Sequence, residues 1–369
     1  MFLKYEGKKS IKELESDISH KRKSISSIDT SHENGIYLYG DNYLGMLALL
    51  KHYENKIDLI YIDPPFNTNS IFYYDAKKVS TISSTKANVA YFDKMKIQEY
   101  MEFIRKRLVL IKKLLSPNGT LYFHIDSKVG HYIKVLLDEI FGPENFINDI
   151  ARVKSNPKNF STKSFGNQKD VIYIYSKFSK NNIFNDIRTP IKYDDLKKKF
   201  NKTDADGRRY TTIPCHAPGE TQNGATGEKW KGLSPPKGRH WRSSPKDLEE
   251  MDKKGLIEWS KTGNPRIKKY AHDNKGKKMQ DIWLDYKDPQ TLIYPTEKNI
   301  KMLSMIVEQS SNPTSIIMDC FCGSGSFLEA GILKDRYVIG IDNSIFSLKA
   351  VKSRKHLERI SIIDLNQSC

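Results

Sequence analysis

The chain has 369 residues, a formal net charge of +17 and a pI near 9.4. This length can bury a substantial core and carry an enzyme in one large or two moderate domains. The excess positive charge indicates a polyanionic partner, with nucleic acid favoured over an anionic membrane surface, because neutralised phosphates release counterions. No long apolar span or secretory signal appears, which argues against a membrane-spanning or secreted protein and predicts a cytoplasmic one.

The four cysteines do not form a recognisable disulfide or metal framework. They are too few for a disulfide scaffold. Cys320 and Cys322 are separated by one residue, which is too close for the usual zinc knuckle. We therefore expect no metal site.

The first elements in the chain predict a β-α-β unit. Residues 1–33 are rich in Lys, Ser and Glu without a firm period, and we interpret them as an N-terminal arm with at most one short helix. A strand at 35–40, a cap at Asp41 and Asn42, a helix at 43–53 and a strand at 57–62 follow. The two strands should be parallel and joined right-handedly.

The second of these strands ends in Asp63-Pro64-Pro65-Phe66. Two prolines cannot continue a sheet ladder, so the chain must break there. In α/β sheets ligands bind outside the carboxyl ends of the strands, so we expect the acid and the ring to face a crevice. The alternative is an ordinary turn capped by the acid.

The alternation continues to residue 175. Residues 67–94 lack a period and are interpreted as a long loop that could close over a substrate. A helix at 96–115 stopped by 116–119, a strand at 120–126, a helix at 128–141, a basic segment at 152–169 and a strand at 171–175 come next. Residues 34–175 are thus the first half of an α/β domain.

Residues 176–293 break this alternation and accumulate Gly, Pro, Lys, Arg and all four tryptophans. Cations that meet phosphates or guanine edges, among rings that pack on bases, are typical of nucleic-acid contact. The candidates for DNA contact are Arg208, Arg209, Lys237, Arg239, Trp241, Arg242 and Arg266. The alternative is a loop-rich domain whose tryptophans form its own small core.

Residues 294–369 form a second βαβ unit with the layout of a nucleoside-binding half-sheet. Helices are predicted at 297–309, 326–334 and 344–357, and strands at 314–318 and 337–341. The first strand runs into Asp319-Cys320-Phe321-Cys322-Gly323-Ser324-Gly325, whose glycines let the backbone approach a ligand. The second ends in Asp342, which could accept hydrogen bonds from ribose hydroxyls.

Together the motif at 63–66 and the motif at 319–325 closely resemble those of the S-adenosylmethionine-dependent amino-methyltransferases of DNA. The catalytic motif precedes the cofactor motif with the basic region between, an order similar to that of the β group, which includes type II enzymes and type III modification subunits. Residues 294–298 are similar to the Pro-Thr-x-Lys helix start of that family, and residues 40–42 to its segment near the cofactor adenine. The resemblance covers about residues 35–357.

The resemblance implies a Rossmann-like, doubly wound and mostly parallel sheet with circularly permuted motifs, a target-recognition domain at 176–293 and a cofactor-binding half at 294–369. It implies Asp63, Pro64, Pro65 and Phe66 as catalytic residues and S-adenosylmethionine as the cofactor, without a metal. The implied cofactor-binding residues are Asp41, Asn42, Asp63, Thr296, Lys298, Asp319, Phe321, Cys322, Gly323, Ser324, Gly325 and Asp342. The implied partner is double-stranded DNA in a bacterial or phage-like setting, with a homodimer and a cognate restriction endonuclease left open.

Four positions depart from the family pattern. Phe66 stands where Tyr is common, and it keeps the stacking face. Cys320 stands for Pro, Ser326 for Thr and Asn299 for Pro. The chain is also shorter than typical type III modification subunits, which favours a stand-alone or type II enzyme.

The chemistry follows from the residues themselves. An exocyclic amine on a base is a poor nucleophile, because its lone pair is delocalised into the ring. If the Asp63 carboxylate and the Pro64 carbonyl accept hydrogen bonds from that amine, the lone pair localises toward the methyl donor. A base in a duplex cannot reach such a pocket, so it must flip out and stack on Phe66.

Several alternatives stay open. In the resembling families an initial Asp favours adenine N6 and an initial Ser favours cytosine N4, so adenine is preferred and N4-cytosine is the alternative. Methylation of RNA or of a protein glutamine, or cofactor binding without turnover, are further alternatives. A C5-cytosine reaction through Cys215 is disfavoured by its irregular context. His124 and Asp126 are interpreted as polar residues at the crevice rim.

Overall fold

The computed structural model describes residues 2–65, 70–74, 88–93, 95–157, 163, 165–289 and 297–366, with the backbone alone at 70–74 and 88–93. Phe66 and Thr296, and the loop predicted at 67–94 apart from the two short strands within it, lie outside the described residues.

Helices and strands alternate along the first and last parts of the described chain. The helices are α1 (Ile11–Ser24), α2 (Asn42–Tyr53), α3 (Ile97–Leu114), α4 (Gly130–Phe141), α5 (Tyr193–Lys199), α6 (Pro245–Lys253), α7 (Ile300–Ser310), α8 (Ser326–Ile332) and α9 (Ile345–Ser353). The strands before the irregular region are β1 (Gly35–Tyr39), β2 (Ile57–Ile62), β3 (Ser70–Tyr74), β4 (Asn88–Asp93), β5 (Leu115–Ile125), β6 (Phe146–Val153) and β7 (Lys169–Ser176). The remaining strands are β8 (Arg188–Thr189), β9 (Lys202–Thr203), β10 (Arg209–Pro214), β11 (His216–Pro218), β12 (Arg239–Trp241), β13 (Ile257–Trp259), β14 (Pro265–Tyr270), β15 (Lys277–Lys278), β16 (Ile282–Trp283), β17 (Ile316–Asp319), β18 (Tyr337–Asp342) and β19 (Ser361–Asp364).

A nine-stranded sheet forms the centre of the first compact unit, in the order β16-β6-β7-β5-β2-β17-β18-β1-β19. Strand β7 is antiparallel to both of its neighbours, and the other adjacent pairs are parallel. The predicted mostly parallel, doubly wound α/β fold is therefore confirmed.

The two sequence halves share this one sheet. Strands β17 and β18 insert between β2 and β1, so the late half of the chain completes the early half. Because parallel strands end at the same edge, Asp63 after β2, Asp319 at the end of β17 and Asp342 at the end of β18 lie at one edge of the sheet. Residues distant in sequence thereby meet at one site.

The apolar runs of the sequence account for these elements. Leu59, Ile60 and Ile62 of β2 are at most 1% exposed, as expected for a strand covered on both faces. Helix α2 begins one residue before the predicted start at 43, and the Asp41 carboxylate caps it by accepting hydrogen bonds from the backbone N–H groups of Tyr43 (2.9 Å) and Leu44 (3.1 Å).

The predicted N-terminal arm at 1–33 is part of the first compact unit. Its helix α1 has a capping box formed by Ser10 and Glu13. Leu14 and Ile18 on this helix are 2% exposed and belong to the main core. Two apolar residues four positions apart are enough to pack α1 against the core. The many polar residues around them obscure this apolar stripe in the sequence.

The second compact unit is narrower than the region predicted at 176–293. It comprises residues 188–279, while the first comprises 1–187 and 280–369. The Asn185 side chain donates to the carbonyls of Glu308 (2.8 Å) and Ser311 (3.0 Å), which fixes the segment after β7 beside α7. Strand β16 returns to the sheet and pairs with β6.

The unit at 188–279 contains a four-stranded antiparallel sheet in the order β13-β14-β10-β9 and a separate pair formed by β11 and β12. Its small core consists of Cys215, Trp230, Trp241, Leu248, Ile257 and Ile267. Within the described parts of the whole chain, no helix combines the length and apolar character needed to cross a membrane.

Candidate active site

The backbone after β2 is held by helix α3. The Tyr100 hydroxyl, on a side chain that is 1% exposed, donates a hydrogen bond of 2.8 Å to the Pro65 carbonyl. Pro64 is buried and Pro65 half-buried. Because prolines lack an N–H, a side-chain donor on a neighbouring helix is one of the few ways to fix this turn.

The two carboxylate oxygens of Asp63 have different environments. Oδ2 accepts a hydrogen bond from Lys298 Nζ, within an ion pair whose side chains are 15% and 8% exposed. Oδ1 is shielded from solvent and accepts no hydrogen bond within the described part of the chain. A shielded acceptor without a donor is costly, so this oxygen suits a hydrogen supplied by a substrate.

The turn after β17 is closed against the end of β18. Asp319 Oδ1 accepts from the Phe321 N–H at 2.9 Å, and Asp342 Oδ2 accepts from the Gly323 N–H at 2.8 Å. Gly325 has φ +75°, and a Cβ there would lie 2.9 Å from Val351 Cγ2, so this position requires glycine. The turn is thus a compact backbone cradle with acids at its margin.

A buried arginine that has no sequence motif to mark it also holds this turn. Arg354 Nε donates to the Ser324 carbonyl at 2.6 Å and its Nη2 donates to Ser326 Oγ at 2.9 Å. The same guanidinium pairs with Glu297 and Glu329. These contacts join the turn to the segment that carries Lys298.

Two carboxyl groups, those of Asp319 and Asp342, lie at the margin of the cradle. Burial raises the pKa of Asp319 well above its usual value, and the charges of Asp63 and Asp342 add to this effect. Burial also raises the pKa of Asp342, although backbone N–H groups oppose the shift. A ligand that carries positive charge would relieve this repulsion.

Asp41 and Asn42 connect the first half of the chain to the turn. Asn42 Nδ2 donates to the Cys320 carbonyl at 2.7 Å, and Arg107 Nε donates to Asn42 Oδ1 at 2.6 Å. Arg107 also contacts Asp41 Oδ2 at 3.3 Å and lies 3.5 Å from the centre of the Phe103 ring. Burial lowers the pKa of Arg107 to about 10.

Arg107 was missed as a site residue, although the sequence carries a signal for it. It lies three residues after Ile104 and four before Ile111, on the apolar stripe of α3. A charged residue within such a stripe requires a buried partner.

The interpretation of His124 and Asp126 as crevice-rim residues is wrong. They are 0% and 3% exposed. His124 contacts the Tyr61 hydroxyl at 2.8 Å and Asp170 at 3.2 Å, and Asp126 Oδ1 accepts from the Lys128 N–H at 2.9 Å. The hydrogen-bond partners of His124 lie on other strands, so the local sequence could not reveal them.

The cysteines offer no nucleophile or metal site in the described parts of the chain. Burial raises the pKa of the Cys320 and Cys322 thiols well above their usual value and that of Cys215 to about 11. Such thiols stay protonated at neutral pH. No group of three His, Cys, Asp or Glu side chains among the described residues could hold a metal ion.

Most of the predicted DNA-contacting cations of the unit at 188–279 are exposed. Lys237, Arg239 and Arg242 are exposed, and Arg239 Nη1 lies 3.2 Å from His216 Nδ1. Arg209 is exposed, but Arg208 pairs with Asp204 at 2.9 Å and with Asp206 at 2.8 Å.

Two further predicted DNA contacts, Arg266 and Trp241, are partly or fully buried inside the unit. Arg266 is half-buried and donates to the Thr212 hydroxyl (2.9 Å) and carbonyl (3.0 Å). Trp241 is 2% exposed in the small core, and its Nε1 donates to the Glu228 carbonyl at 2.8 Å. The expectation that Trp241 contacts DNA is therefore wrong, because the ring is covered by its own unit.

The comparisons with known proteins agree with this geometry. The family model described as DNA methylase matches residues 57–353. The chain is 42% identical to the type II methyltransferase M.EcaI of Enterobacter cloacae, over 89% of this chain and 71% of that protein. It is 26% identical to the type II methyltransferase M.KpnI of Klebsiella pneumoniae, over 84% and 78%, respectively. It is also 22% identical to the StyLTI Mod subunit of a type III restriction-modification enzyme of Salmonella typhimurium, over 89% and 53%. The chain, with its acid-proline-proline turn and glycine-containing cradle at one sheet edge, therefore belongs to the DNA methylase family.

Proposed function

We propose that this chain transfers a methyl group from S-adenosylmethionine to the N6 amine of an adenine flipped out of double-stranded DNA. The observation that carries the proposal is the asymmetry of Asp63, with one oxygen paired to Lys298 and the other a shielded acceptor without a hydrogen-bond donor among the described residues. This carboxylate lies at the sheet edge that also carries the glycine turn.

The base-side chemistry needs two acceptors and a fixed backbone. Asp63 Oδ1 and the Pro64 carbonyl would each accept a hydrogen bond from the amine, which localises the nitrogen lone pair toward the methyl group. The hydrogen bond from Tyr100 to the Pro65 carbonyl keeps this turn in place. Positioning the two reactants about 3 to 3.5 Å apart supplies much of the acceleration.

The cofactor-side residues fit a cationic nucleoside. We assign to it the segment Asp41 and Asn42, Lys298, the turn at 319–325 and Asp342. When bound, S-adenosylmethionine supplies an electrophilic methyl group on a positively charged sulfur. The carboxyl groups of Asp63, Asp319 and Asp342 would complement that charge, and Asp342, at the end of β18, would accept a hydrogen bond from a ribose hydroxyl. Phe66 and Thr296 belong to this proposal through the sequence alone.

The choice of adenine rests on the initial acid of the motif, and N4-cytosine stays the alternative. Both bases present a similar exocyclic amine. Adenine and cytosine differ in their ring nitrogens and in overall size. The side chains that contact the flipped base therefore determine which of the two is methylated.

We assign DNA contact to exposed cations of the unit at 188–279, namely Arg209, Lys237, Arg239 and Arg242. Cations without a carboxylate partner neutralise phosphates most effectively, so the contribution of Arg208 should be smaller because Asp204 and Asp206 pair with it.

Single-molecule sequencing of genomic DNA from a host that expresses the chain tests the proposal. We expect N6-methyladenine at one sequence motif and none in a matched host that expresses Asp63→Ala. N4-methylcytosine at the motif would overturn the choice of base. Absence of any new modification, with the protein present and folded, would overturn the methyltransferase assignment.

A further inference from the structure

A buried chain of polar side chains begins two residues before the catalytic acid. Tyr61 on β2 contacts His124 on β5 at 2.8 Å, His124 contacts Asp170 on β7 at 3.2 Å, and Arg152 on β6 lies 3.5 Å from Asp170. All four are at most 2% exposed. Tyr61 and Asp63 are separated by one residue at the end of β2, so the polar chain begins beside the active site.

The direction of the hydrogen bonds can be assigned. Burial lowers the pKa of His124, so the ring is neutral. Burial alone would raise the pKa of Asp170, yet hydrogen bonds from His124 and Lys154 hold it well below its usual value, so the carboxylate is ionised. His124 therefore donates through Nε2 to Asp170 and accepts the Tyr61 hydroxyl hydrogen at Nδ1.

The far end of the chain holds the segment that follows the unit at 188–279. Arg152 donates to the Tyr286 carbonyl through Nε (2.9 Å) and Nη2 (2.7 Å) and pairs with Asp288. The Asp288 N–H in turn donates to the Lys154 carbonyl at 2.9 Å. One arginine thus joins residues 286–288 to the polar chain.

Stability alone does not explain these side chains. Burying Arg, Asp and His carries a large desolvation cost, and well-packed apolar residues often give equal or greater stability. Tyr61 also stacks on Phe327 of α8 with ring centres 5.3 Å apart, so an apolar ring could fill its place. The hydroxyl and its partners therefore indicate a need for defined orientation.

We propose that Tyr61 and His124 are positioning residues that fix the end of β2, and with it Asp63, to the segment at 280–288 through Asp170 and Arg152. The placement of the catalytic carboxylate then depends on how that segment is held on β6. This inference rests on the proposed function for its kinetic consequence, but its structural consequence is independent of activity.

The first test compares Tyr61→Phe with Tyr122→Phe. Tyr122 is a matched control, because it is also 2% exposed and its hydroxyl forms a 2.8 Å hydrogen bond, with Ser310, outside the polar chain. We expect Tyr61→Phe to lower the single-turnover methylation rate about tenfold, with the cofactor Kd within about twofold of wild type. Tyr122→Phe should keep the methylation rate of wild type. The two variants should lower the melting temperature by similar amounts, because each removes one buried hydroxyl.

The second test acts at the far end of the polar chain. Asp288 has a side chain that is 36% exposed, and Asp288→Asn removes its ion pair with Arg152. Asp285→Asn removes the same charge from the same exposed segment and is the control. Asp288→Asn should lower the methylation rate. The double variant with Tyr61→Phe should lower it by less than the product of the two single fold-decreases, because both substitutions break the same connection.

The third test distinguishes a hydrogen-bonding role from packing. Asn can present an acceptor near the position of His124 Nδ1, whereas Leu cannot. We expect His124→Asn to retain several times the rate of His124→Leu. Equal rates for these two variants would contradict a positioning role.

Hydrogen exchange supplies a readout that does not need activity. Backbone amides at 59–62 should exchange about tenfold faster in Asp288→Asn than in Asp285→Asn. Equal exchange in these variants, together with equal rates for Tyr61→Phe and Tyr122→Phe, would overturn the inference. If wild type does not methylate DNA but the exchange difference is present, the proposed function fails and the positioning link stands.

Discussion

Lys298, just before helix α7, donates a hydrogen bond to Oδ2 of Asp63 just after β2, although 235 residues separate them in the chain. The contact joins the two halves of the methyltransferase sheet at the acid that would bind the base. A lysine so placed occupies one oxygen of the carboxylate and leaves the other, which is shielded from solvent, for a hydrogen supplied by a substrate. Lys298 therefore has a second role beside the cofactor contact implied by the sequence.

Replacement of this lysine separates the two roles. We expect Lys298→Met to lower kcat by roughly 10- to 100-fold, since removing a charged partner from a buried acid costs about 1.5–3 kcal/mol. Loss of a cofactor contact alone would raise KM for S-adenosylmethionine and leave kcat unchanged. Steady-state kinetics, with Lys301→Met as the control because Lys301 is an exposed lysine on helix α7, will show whether kcat or KM changes.

Removal of the acid itself tests the central assignment. Asp63→Ala should abolish methyl transfer, because the amine loses the acceptor that localises its lone pair, while DNA affinity stays largely intact. Tritium incorporation into unmethylated DNA and fluorescence anisotropy of labelled duplex measure the two quantities. Methyl transfer retained by this variant would contradict the assignment.

Much of this site was predictable because its strands are mostly apolar runs that are followed by, or end in, an acid. Strands β2, β17 and β18 are of this kind, and their ends carry Asp63, Asp319 and Asp342. Pattern and motif therefore locate both halves of the site. The Phe66 ring and Thr296 rest on the sequence alone.

The elements that the sequence did not predict depend on tertiary pairing. Strands β6, β16 and β19 contain polar or exposed positions and are stabilised by their neighbours in the sheet. Buried polar residues were missed for a related reason. Their hydrogen-bond partners are distant in sequence: Arg107 contacts Asn42, Arg354 contacts the Ser324 carbonyl and His124 contacts Asp170.

Arg107 provides a test of the cofactor-side scaffold. Arg107→Met leaves the side-chain oxygen Oδ1 of Asn42 without its hydrogen-bond donor. Because such a loss costs about 1–3 kcal/mol, we expect the affinity for the cofactor to fall about tenfold or more. Isothermal titration with S-adenosylmethionine measures it, with the neighbouring half-buried Lys106→Met as control. Equal affinities for the two variants would remove Arg107 from the site.

Exposed arginines of the unit at 188–279 should determine DNA affinity. Arg239→Ala and Arg242→Ala should weaken DNA binding and reduce the salt dependence of log K by about 0.9 for each lost phosphate contact, with cofactor affinity unchanged. Arg208→Ala should have a smaller effect, because Asp204 and Asp206 already pair with that side chain. Anisotropy titrations over a range of salt concentrations check this order. Unchanged DNA affinity at physiological salt for Arg239→Ala and Arg242→Ala would exclude these two arginines as DNA contacts.

Asp319 links cofactor binding to stability. Because burial raises its pKa, the folded protein binds a proton at this carboxyl more tightly than the unfolded chain does. The folded state therefore loses stability as the pH rises from the pKa of Asp319 in the unfolded chain toward its higher pKa in the folded protein. At a pH below both pKa values the carboxyl is protonated in both states, so this loss is absent. Asp319→Asn removes the ionisation, so the melting temperature of the ligand-free variant should exceed that of wild type by an amount that grows with pH.

The same substitution should weaken S-adenosylmethionine binding, because it removes one of the carboxyl groups that complement the sulfonium charge. Thermal unfolding at about pH 5 and about pH 8, with and without cofactor, measures both effects, since a ligand that binds only the folded state raises its stability by mass action. The variant should gain stability at the higher pH without cofactor and gain less than wild type when cofactor is added. A pH-independent difference between variant and wild type would show that burial of Asp319 does not oppose folding.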